Sequence, residues 1–114
     1  MNDCLFCKIA AGEIPSKKAY EDDDVLCFYD IDPQAPVHVL VIPKKHIASV
    51  DAVTDADTEL LGRMFAAVRK VAKDLGLSEN GYRVVSNVGA YGQQSVMHLH
   101  LHVLGGRQME WPPG

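Results

Sequence analysis

The chain has 114 residues, of which 47% are apolar and 23% charged, and its formal net charge is −4. This length and composition predict one globular domain, residues 1–114, and argue against a disordered chain. The excess of acidic over basic residues excludes a broad basic surface for binding nucleic acid, but a few local donors would still suffice for one phosphate group.

The N-terminal residues and the cysteines indicate the compartment. Met1 to Lys8 contain no basic stretch followed by an apolar one, so no signal peptide is predicted, and no apolar run reaches the ~18 residues of a membrane span. Three cysteines, Cys4, Cys7 and Cys27, cannot form a closed set of disulfides, which favours a reducing environment. We therefore expect a cytoplasmic protein that binds neither membrane nor nucleic acid.

The first half of the chain predicts one short helix and three strands. Asp3 can cap a helix over residues 4–11, with Gly12 just past its end and Pro15 enforcing the exit. Strands are expected at residues 19–21, 25–29 and 37–42, with an acidic turn at 22–24 and a proline-bounded loop at 30–36.

The second half predicts one long helix and two more strands. Thr54 or Asp55 can cap the helix, apolar residues recur at helical spacing from Leu60 to Leu75, and Gly76 ends it. Strands are expected at residues 82–87 and 97–104, separated by a glycine-containing loop and followed by an irregular tail at 105–114. Five strands with one long helix on one face predict the α+β class with an antiparallel sheet.

Three of the five histidines alternate along the last predicted strand, at His98, His100 and His102. Alternate residues of a strand share a face, so neighbouring imidazoles should lie roughly 6–7 Å apart. Two chemical functions fit this pattern. The three rings can ligate one metal ion, or one ring can act as a nucleophile that its neighbours assist.

The loop before this strand can bind an anion. Its glycines allow backbone N–H groups to approach a phosphate, and Asn87, Gln94 and Ser95 add side-chain donors. The chain contains neither a P-loop nor a dinucleotide-binding fingerprint, so any phosphate site depends on this loop and on the histidines.

Several segments together resemble the HINT branch of the histidine triad (HIT) superfamily. The row at 98–104 is similar to the H-φ-H-φ-H-φ-φ motif of that family, where φ is apolar. The other similar segments are Glu13-Ile-Pro15, Tyr20-Glu-Asp-Asp23, residues 30–36 (DIDPQAP), residues 41–46 (VIPKKH), residues 105–109 (GGRQM) and the ending at 110–114 (EWPPG). The resemblance covers nearly the whole chain and implies a HIT-like fold with one long and one short helix.

The resemblance implies a hydrolase of purine nucleoside 5′-phosphoramidates, with no organic cofactor. His100 resembles the nucleophile that takes the nucleoside monophosphate, His102 a phosphate and leaving-group contact, and His38 the histidine that supports His100. The other implied site residues are Ser95 in the proton relay to the leaving group, Asn87 with Ser95 at the phosphate, Asp30 at the ribose hydroxyls, and Phe6, Phe28, Ile31 and Leu40 at the base.

The resemblance also implies a homodimer in which the two sheets join into one. The tail, residues 105–114, then reaches the partner subunit, where Trp111 completes the active site. The chain departs from the familiar HINT pattern at three positions. Gln93 stands where glycine is common, Met97 replaces an aromatic residue, and Asp32 replaces a frequent serine.

A second group of residues, Cys4, Cys7, His46 and His98, predicts a structural zinc site. A C-x-x-C pair with two distant histidines is typical of closed tetrahedral zinc sites, and some HIT proteins resemble this pattern. Two buried thiols or a redox pair are the alternatives, although no βαβ context supports the redox pair. Cys27, in an apolar strand, is predicted to be core.

Two other functions remain open at this point. The triad histidines could be the metal ligands of a hydrolase, although such sites usually add a carboxylate or a clear general base. The protein could instead be a nucleotide-binding interaction protein whose catalysis is vestigial. Turnover in the presence of a strong chelator would separate the first of these from covalent histidine chemistry.

Overall fold

The computed structural model describes residues 3–114 as a five-stranded antiparallel sheet with helices against both faces. The strands are β1 (Lys18–Glu21), β2 (Val25–Tyr29), β3 (Val37–Pro43), β4 (Tyr82–Val85) and β5 (Leu101–Gly105), in the order β1-β2-β3-β5-β4. The helices are α1 (Leu5–Ala10) and α2 (Thr58–Asp74), preceded in the case of α2 by two 3₁₀ turns, Val50–Ala52 and Asp55–Asp57. The predicted α+β class is confirmed.

Both helices begin at residues whose side chains satisfy backbone donors. Cys4, not the predicted Asp3, caps α1, because its Sγ accepts the N–H of Cys7 at 3.4 Å. Before α2, Thr54 and Asp57 form a capping box around the second 3₁₀ turn. Among residues 3–114, neither helix is long and apolar enough to cross a bilayer.

The alternation of side chains along the central strands builds two separate cores. Val25, Cys27, Val39 and Val41 face α2, whose buried residues Met64, Ala67, Val68, Val71 and Ala72 pack against them. Leu26, Phe28, Leu40 and Ile42 face α1 with its Phe6 and Ile9. A strand places successive side chains on opposite faces, so both faces of β2 and β3 are apolar. The sequence prediction of a helix on one face was therefore incomplete, since α1 covers part of the other.

The last strand starts later than predicted, at Leu101 instead of 97. Its pairing with β3 ends at Val41 opposite Leu101. Two residues further along this register β3 reaches Pro43, which has no N–H to donate to a strand partner. His98 and His100 therefore precede the strand, and of the three alternating histidines only His102 lies within it.

Candidate active site

A cavity of about 340 Å³ lies between α1 and the face of the sheet that carries His102. Its apolar walls include Phe6, Phe28 and Leu40, which are each 5% exposed and also belong to the smaller core. The polar groups along its lining come from Asp30, Ser95, His100 and His102. A deep apolar pocket with a few convergent polar groups is typical of a small-molecule site.

The hydrogen bonds of His100 determine which of its ring nitrogens is available. Nδ1 of His100 lies 2.6 Å from the carbonyl oxygen of His98. A carbonyl oxygen can only accept, so Nδ1 carries the proton and Nε2 keeps its lone pair. The edge of Phe6 packs against this ring at a centroid distance of 5.1 Å, which restricts its rotation. In its neutral form, His100 therefore presents the lone pair of Nε2 from a buried and oriented ring.

His38 contacts His102, the neighbour of the His100 that the resemblance implies it supports. Its Nδ1 accepts the backbone N–H of Gln34 at 3.0 Å, so its proton lies on Nε2. Nε2 lies 2.8 Å from Nδ1 of His102, so His38 donates and His102 accepts. The remaining proton of neutral His102 is then on Nε2, its other ring nitrogen. Because His102 packs against His100 at a centroid distance of 5.0 Å, support from His38 reaches His100 indirectly.

Burial keeps this histidine pair neutral. It lowers the pKa of His102 to about 4, with the neighbouring His100 and His38 acting in the same direction. Burial also lowers the pKa of His38, although Asp30 and Asp32 partly oppose the shift. Both rings are therefore neutral at pH 7, and His102 presents an N–H donor without carrying a full charge.

Asp30 occupies the edge of the cavity beside His38. Its Oδ2 lies 3.5 Å from Nε2 of His38, and its Oδ1 accepts the backbone N–H of Asp32 at 2.8 Å. The side chain is 19% exposed, so the carboxylate can still accept a hydrogen bond from a bound molecule. Ile31, predicted in the base pocket, also lines the cavity but is fully exposed at its mouth.

The side chains of Asn87 and Gln94 form hydrogen bonds within and around the loop and are absent from the cavity lining, so their contact with phosphate stays a prediction. The Nδ2 group of Asn87 donates to the carbonyl of Gly92. Gln94 accepts the N–H of Gly89 and donates to the carbonyls of Ala48 and Val96. These contacts already use the donors of Gln94. Ser95, by contrast, is exposed and lines the cavity.

The tail keeps Trp111 away from the cavity of its own chain. The guanidinium group of Arg83 donates to the carbonyl of Glu110 at 2.7 Å and lies over the indole ring of Trp111 at 6.0 Å. The indole is 81% exposed. Trp111 does not line the cavity of its own chain.

The predicted zinc ligands lie together where α1 begins. Nδ1 of His98 is 3.3 Å from Sγ of Cys4 and 3.5 Å from Sγ of Cys7, while Nδ1 of His46 is 3.3 Å from Sγ of Cys7 and 3.2 Å from Nδ1 of His98. Tetrahedral zinc with ordinary bond lengths separates sulfur and nitrogen ligands by about 3.5 Å and two nitrogens by about 3.3 Å. These four residues can hold a zinc ion.

The surroundings of His98 also suit a metal ligand. Its ring is completely buried, and its Nε2 donates to the carbonyl of Pro43 at 2.8 Å. This bond leaves the lone pair on Nδ1, facing the other three donors. Such a backbone contact is the usual way in which a protein fixes the orientation of a metal-bound histidine.

The three alternating histidines do not converge on one point. His98 turns to the cysteines, His100 is bonded to the His98 carbonyl, and His102 is bonded to His38. Asp30, His38 and His102 do lie within 4.8 Å of one another. In this group, however, the Gln34 N–H places the proton of His38 on the nitrogen that faces the others, which is not the ligating form. The geometry therefore disfavours the metal-dependent hydrolase.

Some residues that line the cavity were not predicted as site residues from the sequence. The apolar residues Leu5, Ile9, Ile14 and Val96 line the cavity but were not predicted there. The spacing of Phe6 and Ile9 is that of one helical face, which could have placed α1 over an apolar surface. The backbone N–H of Gln34 carries no sequence signal at all, because every residue except proline has one.

Comparison with known proteins identifies the family. The HIT domain matches residues 11–109 of this chain. The chain belongs to the HIT family.

Three relatives of this HIT protein match it over almost their whole length. It is 51% identical to an uncharacterised HIT-like protein of Synechocystis, over 98% of this chain and 97% of that protein. A HIT family hydrolase from Legionella pneumophila is 58% identical, with a TM-score of 0.96 over 98% of this chain and all of that one. A histidine triad protein from Clostridium difficile is 46% identical, with a TM-score of 0.93 over 96% of both chains.

Proposed function

We propose that this HIT protein is a hydrolase of the HINT branch that cleaves the P–N bond of purine nucleoside 5′-phosphoramidates through a nucleotidyl-His100 intermediate. The observation that carries the proposal is the 2.6 Å contact between Nδ1 of His100 and the His98 carbonyl. It leaves Nε2 of a buried imidazole unprotonated beside an N–H donor, His102. Relatives named as HIT family hydrolases support the reaction class.

In the first step, Nε2 of His100 attacks phosphorus, a P–Nε2 bond forms and the P–N bond to the amine breaks. The departing amine takes up a proton from solvent, which the Ser95 hydroxyl in the cavity lining passes on while it receives another. The imidazolium that forms keeps its Nδ1 proton against the His98 carbonyl, which stabilises the positive charge. Neutral His102 donates to a phosphate oxygen at the same time.

In the second step, a water molecule attacks the phosphorus of the intermediate. A P–O bond forms and the P–Nε2 bond breaks. The water loses a proton, which returns to solvent through the Ser95 hydroxyl. The products are a nucleoside monophosphate and the free amine, and His100 returns to its neutral form with the proton on Nδ1. All bonds and protons balance without an oxidant or reductant.

The cavity suits a purine nucleoside. Phe6 and Phe28 pack edge to face at 5.5 Å and form an apolar aromatic wall with Leu40. Flat bases gain dispersion and burial energy against such a wall. Asp30 also lines the cavity, with its Oδ2 3.5 Å from Nε2 of His38, and a ribose hydroxyl would donate to its carboxylate.

In the decisive experiment, the protein turns over adenosine 5′-phosphoramidate, the reaction is quenched during turnover, and the intact mass of the protein is measured. We expect an adduct of one AMP on His100, acid-labile and absent in His100→Ala. That variant should lose nearly all turnover, by roughly 10³-fold or more on the scale seen when a catalytic nucleophile is removed, and still bind AMP. A His100→Ala protein that turns over normally would contradict the mechanism. AMP binding without turnover in the wild type would favour a vestigial enzyme.

We also propose one structural zinc ion per chain on Cys4, Cys7, His46 and His98. Four of the six separations between the donor atoms, 3.2 to 3.5 Å, are close to those of tetrahedral zinc, and the Pro43 carbonyl orients His98. Zinc held by four protein ligands supplies stability and no open position for substrate. The ion would anchor α1, and with it Phe6, to the sheet.

A homodimer with a tail that acts in the partner's site is the remaining proposal. The exposed Phe65 on α2, 50% exposed, and Val84 on the edge strand β4, 36% exposed, offer apolar surface for a second copy. An edge strand has unpaired backbone groups that favour pairing with another chain. Trp111 would then contact the partner's substrate from the tail.

A further inference from the structure

The turn that follows β5 packs closely against the loop at residues 30–36. Gly106 adopts φ 90°, a conformation that favours glycine, and a Cβ at this position would lie 2.9 Å from Cβ of Pro36. Both the positive φ and the lack of space for a side chain therefore favour glycine at this position. The close approach delivers the next residue, Arg107, to the loop.

Arg107 holds the loop at the residue that orients His38. Its Nη2 donates to the carbonyl of Gln34 at 3.2 Å, and its Nη1 donates to the carbonyl of Gln108 at 3.1 Å. The backbone N–H of the same Gln34 donates to Nδ1 of His38 at 3.0 Å. A chain of three contacts therefore links Arg107, through Gln34 and His38, to His102.

We propose that Arg107 is a positioning residue that determines which ring nitrogen of His102 carries the proton. It does so by holding the carbonyl of the Gln34–Ala35 peptide, which restrains the Gln34 backbone and with it the preceding peptide, whose N–H keeps the lone pair of His38 on Nδ1. Arg107 does not line the cavity, so it acts only through these intermediates. The catalytic consequence rests on the proposed use of His102, while the protonation pattern itself does not.

Loss of the contact between Arg107 and the Gln34 carbonyl would change which ring nitrogens of neutral His38 and His102 carry their protons. If the Gln34 N–H moves away, His38 can carry its proton on Nδ1 and present a lone pair at Nε2. His102 must then donate from Nδ1, and its substrate-facing Nε2 becomes an acceptor. An acceptor facing the anionic oxygens of a phosphate is repulsive, so only the original arrangement assists the reaction.

The test measures the ring nitrogens directly. Long-range ¹H–¹⁵N correlation spectra of ligand-free protein at pH 7 report the protonated nitrogen of His38 and His102. We expect Nε2–H on both rings in the wild type and in Arg107→Lys, which can still donate to the Gln34 carbonyl. In Arg107→Met we expect a mixture of forms and a five- to tenfold loss in kcat/KM, the factor given by one hydrogen bond of roughly 1 to 1.4 kcal/mol.

Arg69→Met is the matched control, since Arg69 is exposed on α2, far along the chain from this loop. It should match the wild type in spectra and rate. A folded Arg107→Met with wild-type spectra would overturn the proposal, as would wild-type His102 protonated on Nδ1, a result that needs no variant. If phosphoramidates are not substrates but Arg107→Met still mixes the two forms, the proposed function fails and this inference stands.

Discussion

The carbonyl oxygen of His98 holds Nδ1 of His100 at 2.6 Å, while the ring of the same His98 belongs to the group of potential zinc ligands. The backbone here has two further anchors. The N–H of Leu99 donates to Ile47 at 2.6 Å, and the carbonyl of His100 accepts from Ser86 at 2.9 Å. These anchors do not involve the metal ligands, so the carbonyl that orients the nucleophile should stay in place when a metal is removed.

The first prediction is that loss of zinc lowers the stability of the protein much more than its turnover. Protein purified without chelators should contain one zinc per chain, and Cys7→Ser should contain much less. The variant should melt roughly 10 °C lower or more, at about 4 °C for each kcal/mol lost. Turnover by the remaining folded enzyme should fall by only a few fold. Metal analysis and thermal melts followed by circular dichroism measure both effects.

Cys27→Ala provides the control for this experiment. Cys27 is completely buried in the larger core, and burial raises the pKa of its thiol to about 12. Its substitution should lower stability through lost packing and leave the zinc content unchanged. Wild-type protein without zinc would contradict the site, and lost turnover at unchanged stability would favour metal-assisted hydrolysis instead.

The second prediction concerns stability at low pH. The folded protein holds His102 at a pKa of about 4, below the value of about 6.5 in an unfolded chain. Between these values the unfolded state binds more protons, so the free energy of unfolding should decrease as pH falls from about 6.5 towards 4. At 1.36 kcal/mol per pKa unit, His102 alone should account for roughly 2 to 3 kcal/mol. Urea unfolding at pH 8, 6, 5 and 4.5 measures this loss.

His102→Asn isolates that contribution. The variant keeps a polar side chain but has no group that titrates in this range, so its stability should depend less steeply on pH than that of the wild type. The lowered pKa of His38 leaves part of the slope in place. Parallel pH profiles for the two proteins would show that His102 is not the group responsible.

A third prediction tests the tail across the dimer. Deletion of residues 110–114 should change discrimination among leaving groups more than the rate with a simple phosphoramidate. Trp111 lies outside the cavity of its own chain, so a mixed dimer decides where it acts. A His100→Ala chain paired with a tail-deleted chain should keep wild-type selectivity, because the active His100 receives its partner's tail. Selectivity equal to the tail-deleted homodimer, or a monomer by sedimentation, would refute the arrangement.

The fourth prediction concerns Gln93, which adopts φ 60° in the loop before the histidines. A residue with a side chain loses about 1 kcal/mol or more in this conformation, although glycine loses additional entropy on folding. Gln93→Gly should therefore raise the free energy of unfolding by between zero and about 1 kcal/mol. Gln93→Val should lower it by more than about 1 kcal/mol, since β-branched residues fit this region poorly. Urea unfolding of both variants measures the difference, and equal stabilities would contradict the prediction.

Local patterns in the sequence determined most of the secondary structure. The nearly continuous apolar runs of β2 and β3 and the helical spacing from Leu60 to Leu75 depend only on neighbours in the chain. Gly76 ends the last turn of α2 with φ 75°, as its position predicts. The row of three histidines likewise located the candidate site and, with the other motifs, the family.

Tertiary structure decided what each histidine contacts. The spacing predicted three rings on one strand face, but Pro43 lacks the N–H that a longer β5 would need, and its carbonyl binds His98 instead. The pairing of His38 with His102 depends on the register between β3 and β5, two strands separated by nearly 60 residues. No local pattern encodes that register or the backbone N–H of Gln34. Protonation of the site is therefore determined by long-range packing, which sequence periodicity does not report.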